Sequence, residues 1–184
     1  MLFLLIIALA VLYPAVHILN GWLFDIATIN HHISLIYLPA FLRLFNLLVL
    51  GPIYGTLTTV LGGLLLMGKF DESLDLALFN VACSSTGPLL SLLGFRLYFK
   101  RRIALTSLSD LTALTLTYCV CNSVIHHLAW QTLGATPQFD VKEAAWMFIG
   151  DFNGALLGAY LMKAMIDVME KRGFNFSDSS KPKN

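Results

Sequence analysis

The sequence predicts an all-α integral membrane bundle of six transmembrane helices with both termini cytoplasmic. Three observations predict it. Of 184 residues, 57% are hydrophobic and only 12% charged, about half the roughly 25% charged fraction of a soluble domain. The apolar residues fall into blocks near the roughly 17 to 25 helical residues that a hydrocarbon core of about 30 Å requires. Lys and Arg, which are retained on the cytoplasmic side of a membrane, crowd into alternate connections.

The first segment, Leu2 to Phe24, has no Lys or Arg ahead of its apolar run. It therefore lacks the positive region of a cleaved signal and reads as a retained span. Ile33 to Leu50 and Ile53 to Lys69 follow, parted by Gly51 and Pro52 in a tight turn. Lys69, Asp71 and Glu72 make a polar break before Ser73 to Phe99, and Leu108 to Leu133 and Val141 to about Ala164 complete the six. Ser107 with Asp110, and Asp140 with Glu143, have the spacing of N-terminal caps, in which a side-chain oxygen accepts from free backbone donors. The last helix continues into a charged end at Lys163, Asp167, Glu170, Lys171 and Arg172. Residues 1–172 thus read as a single membrane domain, and residues 173–184, polar throughout, as a disordered cytoplasmic tail.

Orientation follows from Arg96, Lys100, Arg101 and Arg102 in one connection and Lys163, Lys171, Arg172, Lys181 and Lys183 at the end. The first connection has no basic residue, and the third and fifth have Lys69 and Lys142. Trp22, Trp130 and Trp146 all fall at the expected outer interface, where amphipathic rings prefer to sit. A net charge of +1 without a basic run leaves no nucleic-acid footprint. Cys83, Cys119 and Cys121, odd in number and inside apolar stretches, read as free thiols.

Ionisable side chains at membrane depth are costly and face the bundle interior, where they pair. Arg43 and Asp151 each lie about ten residues into spans running in the same direction, at similar depth, so they are expected to form an ion pair. Polar stripes gather nearby: Thr115, Cys119, Asn122 and His126 in one span, Tyr13, His17 and Asn20 in another, Asn80, Ser84 and Gly87 in a third. Pro39 and Pro88 each free a carbonyl one turn back and are expected to kink their helices. The candidate ligand-binding or ion-pair residues are Arg43, Asp151, Asn122, His126, Asn80 and Asn153. Gly150, Gly154 and Gly158 form a doubled GxxxG pattern, which lets another helix approach closely. Packing within the bundle is preferred for this face over a homodimer seam. His17, His126 and His127 offer a metal or haem alternative. Adjacent histidines on a helix point about 100° apart, so no metal and no cofactor is assigned. The chain carries no HExxH, P-loop or GxSxG signature, and no catalytic residue is assigned.

The runs Ile33-Ser-Leu-Ile-Tyr-Leu-Pro39, Leu48-Val-Leu-Gly51-Pro, Tyr98-Phe-Lys-Arg-Arg102, Leu108-Ser-Asp110-Leu and Trp146-Met-Phe-Ile-Gly150-Asp151-Phe-Asn-Gly154 resemble the first membrane-associated sensor domain family. The resemblance covers about Ile33 to Ala164. It implies a bacterial multi-span sensor module of the kind fused ahead of cytoplasmic kinase or cyclic-dinucleotide enzymes. Tyr37 departs from it, standing where Trp before proline is usual, and no output domain is expected after Ala164. The Gly51-Pro52-Ile-Tyr-Gly55 run with Gly62-Gly63 more distantly resembles the vitamin-binding subunits of energy-coupling-factor transporters.

The expected function is a stand-alone, sensor-like domain of the inner membrane that binds a small ligand or partner helix in an outer-half polar cavity. It would relay that state to a protein partner in the membrane or at its cytoplasmic face. The alternatives are a solute-binding transporter subunit, or a structural accessory subunit docked through the Gly150, Gly154 and Gly158 face.

Overall fold

A computed structural model describes residues 1–171 except His31, Phe70, Asp71, Leu105, Thr106 and Pro137. The expected tail at 173–184, Arg172, and the side chains of Asp167 and Glu170 in the expected charged end lie outside the described residues. The described chain forms five α-helices: α1 (Leu2–Leu23), α2 (Pro39–Leu66), α3 (Leu74–Phe99), α4 (Leu108–Thr132) and α5 (Val141–Lys171). One-turn 3₁₀ segments lie at Asp25–Ala27 and Met67–Lys69. Central α2 packs on α1, α3 and α5, and α4 packs on α3 and α5.

The count corrects the expected six. Ile33 to Leu50 and Ile53 to Lys69 are not separate spans but parts of one element, α2, broken at Gly51 (φ 78°, ψ 175°). In a straight helix, residues nine apart are about 13 Å apart. Here a Cβ on Gly55 would lie 2.6 Å from the carbonyl carbon of Asn46, so α2 folds back sharply at Gly51. Its halves, 39–50 and 52–66, reach about 18 Å and about 22 Å, each short of a hydrocarbon core of about 30 Å. Among the described residues, four helices are long and apolar enough to cross a membrane: Leu2–Leu23, Pro39–Lys69, Leu74–Phe99 and Leu108–Thr132. α2 reaches that standard only with its halves counted together, and α5, interrupted by Asp151, is not among them. The six-span premise on which both termini were placed on one side therefore falls.

Gly51 occupies a backbone region that only glycine enters at no cost, with open space around its α-carbon. Gly51→Ala is thus a pure backbone test. It is expected to cost about 1–3 kcal/mol, read as a lowered thermal midpoint in detergent.

The second correction concerns residues 33–38, which are not helical. α2 starts at Pro39, where a missing N–H costs nothing, so this proline opens a helix rather than kinking one. The preceding stretch has its backbone satisfied by other elements. Asn20 Nδ2 donates to the Ile36 carbonyl (3.0 Å), and Leu38 N donates to Asn20 Oδ1 (2.8 Å). Asn153 Nδ2 donates to the Leu35 carbonyl (2.9 Å), and Tyr37 N donates to the Gly150 carbonyl (3.0 Å). Irregular backbone in a membrane protein is tolerated where protein supplies its hydrogen bonds. Helix could not form here without displacing these partners. Pro88 lies within α3, which continues through it.

The caps form with the expected spacing. Ser107 Oγ accepts from Asp110 N (3.3 Å), and Asp140 Oδ1 accepts from the backbone of Lys142 (2.7 Å) and Glu143 (3.2 Å). Asp110 also receives Arg101 Nη2 at 2.7 Å and Ala104 N at 2.9 Å, so one of the basic-loop cations is tied to the start of α4.

The glycine face is consumed inside the chain. A Cβ at Gly150 would overlap the Ser34 carbonyl, one at Gly154 the Tyr37 carbonyl, and one at Gly158 the Phe41 ring. α5 therefore docks through its glycines onto residues 34–41. The face is covered by the chain's own residues, backbone at Gly150 and Gly154 and the Phe41 side chain at Gly158, against both a homodimer seam and an accessory-subunit dock at that place.

Candidate ligand-binding cleft

Three helices, α1, α3 and α4, contribute polar residues one turn apart, which places them above one another on a single face. Tyr13 and His17 come from α1, Asn80 and Ser84 from α3, Asn122, His126 and Trp130 from α4, and Met147 and Asp151 from α5. With Arg43 of α2 and Tyr37 ahead of it, they line one cleft whose empty space, counted to its open mouth, is about 760 Å³. Glu72, His32 and Ser34 complete its polar lining from the connections.

Arg43 is the hub, 4% exposed. Its Nε and Nη2 donate to the Tyr13 hydroxyl at 2.9 and 2.8 Å. Nη2 also reaches Ser84 Oγ at 2.8 Å and the Tyr37 hydroxyl at 3.3 Å. Nη1 reaches the Tyr118 hydroxyl and Asn122 Oδ1, both at 3.3 Å. The guanidinium carbon also lies 5.2 Å from the Tyr37 ring centre, within cation–π range.

Asp151, 2% exposed, shares the site. The expected direct ion pair is nevertheless absent: among the described residues no Arg43–Asp151 contact within 4 Å occurs. Asn122 stands between them, accepting from Arg43 and donating through Nδ2 to Asp151 Oδ2 at 2.6 Å. Gly87 makes room for it, since a Cβ there would sit 3.1 Å from Asn122 Oδ1. An amide between two charges satisfies both ions without the close fit of an ion pair.

The other candidates divide. His126 lines the cleft, its Nδ1 2.9 Å from the Asn122 carbonyl and its Nε2 3.4 Å from Ser84 Oγ. A carbonyl can only accept, so Nδ1 carries the proton and Nε2 faces the Ser84 hydroxyl. Asn80 holds the Trp130 indole N–H (2.7 Å) through Oδ1 and donates to Glu72 Oε2 (3.1 Å). Asn153 is exposed and serves the Leu35 carbonyl instead, so it leaves the site. Of the histidines weighed for a metal, His17 and His126 line the cleft, whereas His127 packs on Trp130 and Phe139. No group of three or more potential metal ligands occurs among the described residues. Trp130, placed at the membrane interface by sequence, is 3% exposed and part of the wall. Tyr118, Glu72 and His32 were not singled out as site residues. Tyr118 sits one residue before the Cys119, Asn122 and His126 stripe and was hidden by its apolar neighbours. The other two lie in connections, where periodicity carries no signal.

Polar side chains inside and large apolar ones outside, such as Phe3 at 70% and Ile53 at 76% exposure, with four helices of spanning length and composition, define the class. The chain is a helical membrane protein with a polar cleft built around a buried arginine. No family model, curated protein or solved structure matches it.

Proposed function

We propose that this protein is a sensor-like domain of the bacterial inner membrane that binds a small polar molecule in the cleft and relays its occupancy to a partner protein. The observation that carries this reading is the cleft itself. All five helices contribute to a single polar wall, so a molecule seated there bears on every helix at once. α5 supplies the route outward, because Asp151 lies in the wall while the helix runs on to Lys171, about 30 Å further. The resemblance to the sensor-domain family supplies the signalling part of the reading.

Native mass spectrometry on protein freshly extracted in mild detergent tests it. The wild type is expected to carry a non-lipid adduct of small mass. Ala77→Phe, which fills the cleft from α3, is expected to release that adduct while keeping the thermal midpoint within a few degrees. A wild type with no adduct, or an adduct retained by Ala77→Phe, counts against the proposal. Co-purification of an ATPase module in place of a signalling partner would favour a solute-binding transport subunit.

A further inference from the structure

The chemistry of the wall narrows what the cleft holds, on the reading that it holds a small molecule. At one end the N–H groups of Arg43 are all directed at protein acceptors, four of which are the hydroxyls of Tyr13, Tyr37, Tyr118 and Ser84. A hydroxyl that accepts from a guanidinium has its own proton to give. Ser84 gives its proton to His126 Nε2, and Tyr118 is fully buried and off the cleft, so Tyr13 and Tyr37, the latter 3.2 Å from His17 Nδ1, are the hydroxyls this end presents, polarised by a cation and suited to an oxygen acceptor. The charge of Arg43 is balanced locally by Asp151 across Asn122, so the end as a whole is dipolar.

The other end is different. Glu72 accepts from Asn80 and lies 3.6 Å from His32 Nδ1. Its side chain is 12% exposed, so the carboxylate is largely removed from water. An aromatic pair is linked to it through its partners: Asn80 also holds the Trp130 indole N–H, and His32 lies tilted at 38° to the Trp130 ring, 5.0 Å between centres. A carboxylate largely removed from water attracts an ammonium group by a charge-assisted hydrogen bond. Glu72 brings a carboxylate to this end of the lining, and the complement of a carboxylate is a positively charged group. Asn80, which holds Glu72, and Ser84, which takes Arg43, are four residues apart on α3, so the two ends are separated by about 6 Å of helix.

We propose that the ligand is a small amino compound, its ammonium group on Glu72 and an oxygen acceptor facing the hydroxyls around Arg43. α-Amino acids, ω-amino acids and amino alcohols belong to this class. Isothermal titration of the full chain in nanodiscs tests it with panels of these three kinds, each member paired with its des-amino counterpart. At least one amino compound is expected to bind, with its des-amino counterpart weaker by about tenfold or more. Glu72→Gln keeps an oxygen for Asn80 and removes only the charge, and it is expected to erase that preference. Equal binding of the des-amino compound, or a preference unchanged in Glu72→Gln, overturns the class. So does silence from every panel member while a native adduct is present, and that outcome leaves the cleft as a small-molecule site. No adduct and no binding together overturn both proposals.

Discussion

Arg43→Ala is expected to abolish most folded protein, with a loss of about 3–5 kcal/mol, read as a collapsed monodisperse peak and thermal transition in detergent. The reason is that α1, α3, α4 and Tyr37 all present acceptors to this one guanidinium of α2. Truncation strands them, together with the Asp151 carboxylate, in a water-poor interior. Arg43→Lys should recover only part of the loss, because an ammonium has three donors in place of five and no planar fork. Exchanging the charges sharpens the point. For a simple ion pair, Arg43→Asp combined with Asp151→Arg would restore what each single change removes. Here the double variant should be no better folded than either single one. An arginine on α5 faces Asn122 but not the tyrosines of α1 and residue 37. Full rescue by the exchange would show that the pair acts directly.

Gly154→Ala is expected to be the most damaging single methyl in the chain, with Gly150→Ala close to it, each costing about 2–4 kcal/mol. The added carbon meets backbone, the carbonyls of Tyr37 and Ser34, which no rotamer change can move aside. Relief requires α5 to withdraw from residues 34–38, and withdrawal breaks the Tyr37 N to Gly150 carbonyl bond and the Asn153 to Leu35 bond. Gly21→Ala in α1, with no atom within 4 Å, is the control. It should be neutral or gain up to about 1 kcal/mol from helix propensity. Equal thermal midpoints for the Gly21 and Gly154 variants would refute the close approach. Since these glycines are buried against the chain itself, Gly154→Leu should unfold the protein rather than release it from a complex.

Much of the site was legible because helical periodicity survives burial. The stripe of Cys119, Asn122 and His126, the pair Asn80 and Ser84, and Arg43 with Asp151 at matched depth all follow from spacing and from the cost of a charge in lipid. All but Cys119 among these line the one cleft. What spacing could not show is which atom meets which. Depth matched Arg43 to Asp151, but the Asn122 amide between them is set by the angular placement of α4 against α3, where Gly87 admits it. Asn153 illustrates the converse. It lies two residues from Asp151, about 200° away around the helix, and so faces a backbone carbonyl outside the cleft.

By itself the sequence determined the membrane class, the helix starts at Ser107 and Asp140, the break at Gly51 and the polar stripes. Each of these rests on composition or on contacts within a few residues along the chain. Tertiary structure alone decided that residues 33–38 stay irregular, that α2 folds back as one broken element in place of two spans, and that Glu72 joins the cleft. A stretch as apolar as Ile33 to Leu38 satisfies helix and irregular backbone equally at the local level. The choice fell to Asn20, Asn153 and the glycines of α5, hydrogen-bond partners and clearances that exist only after distant segments have packed.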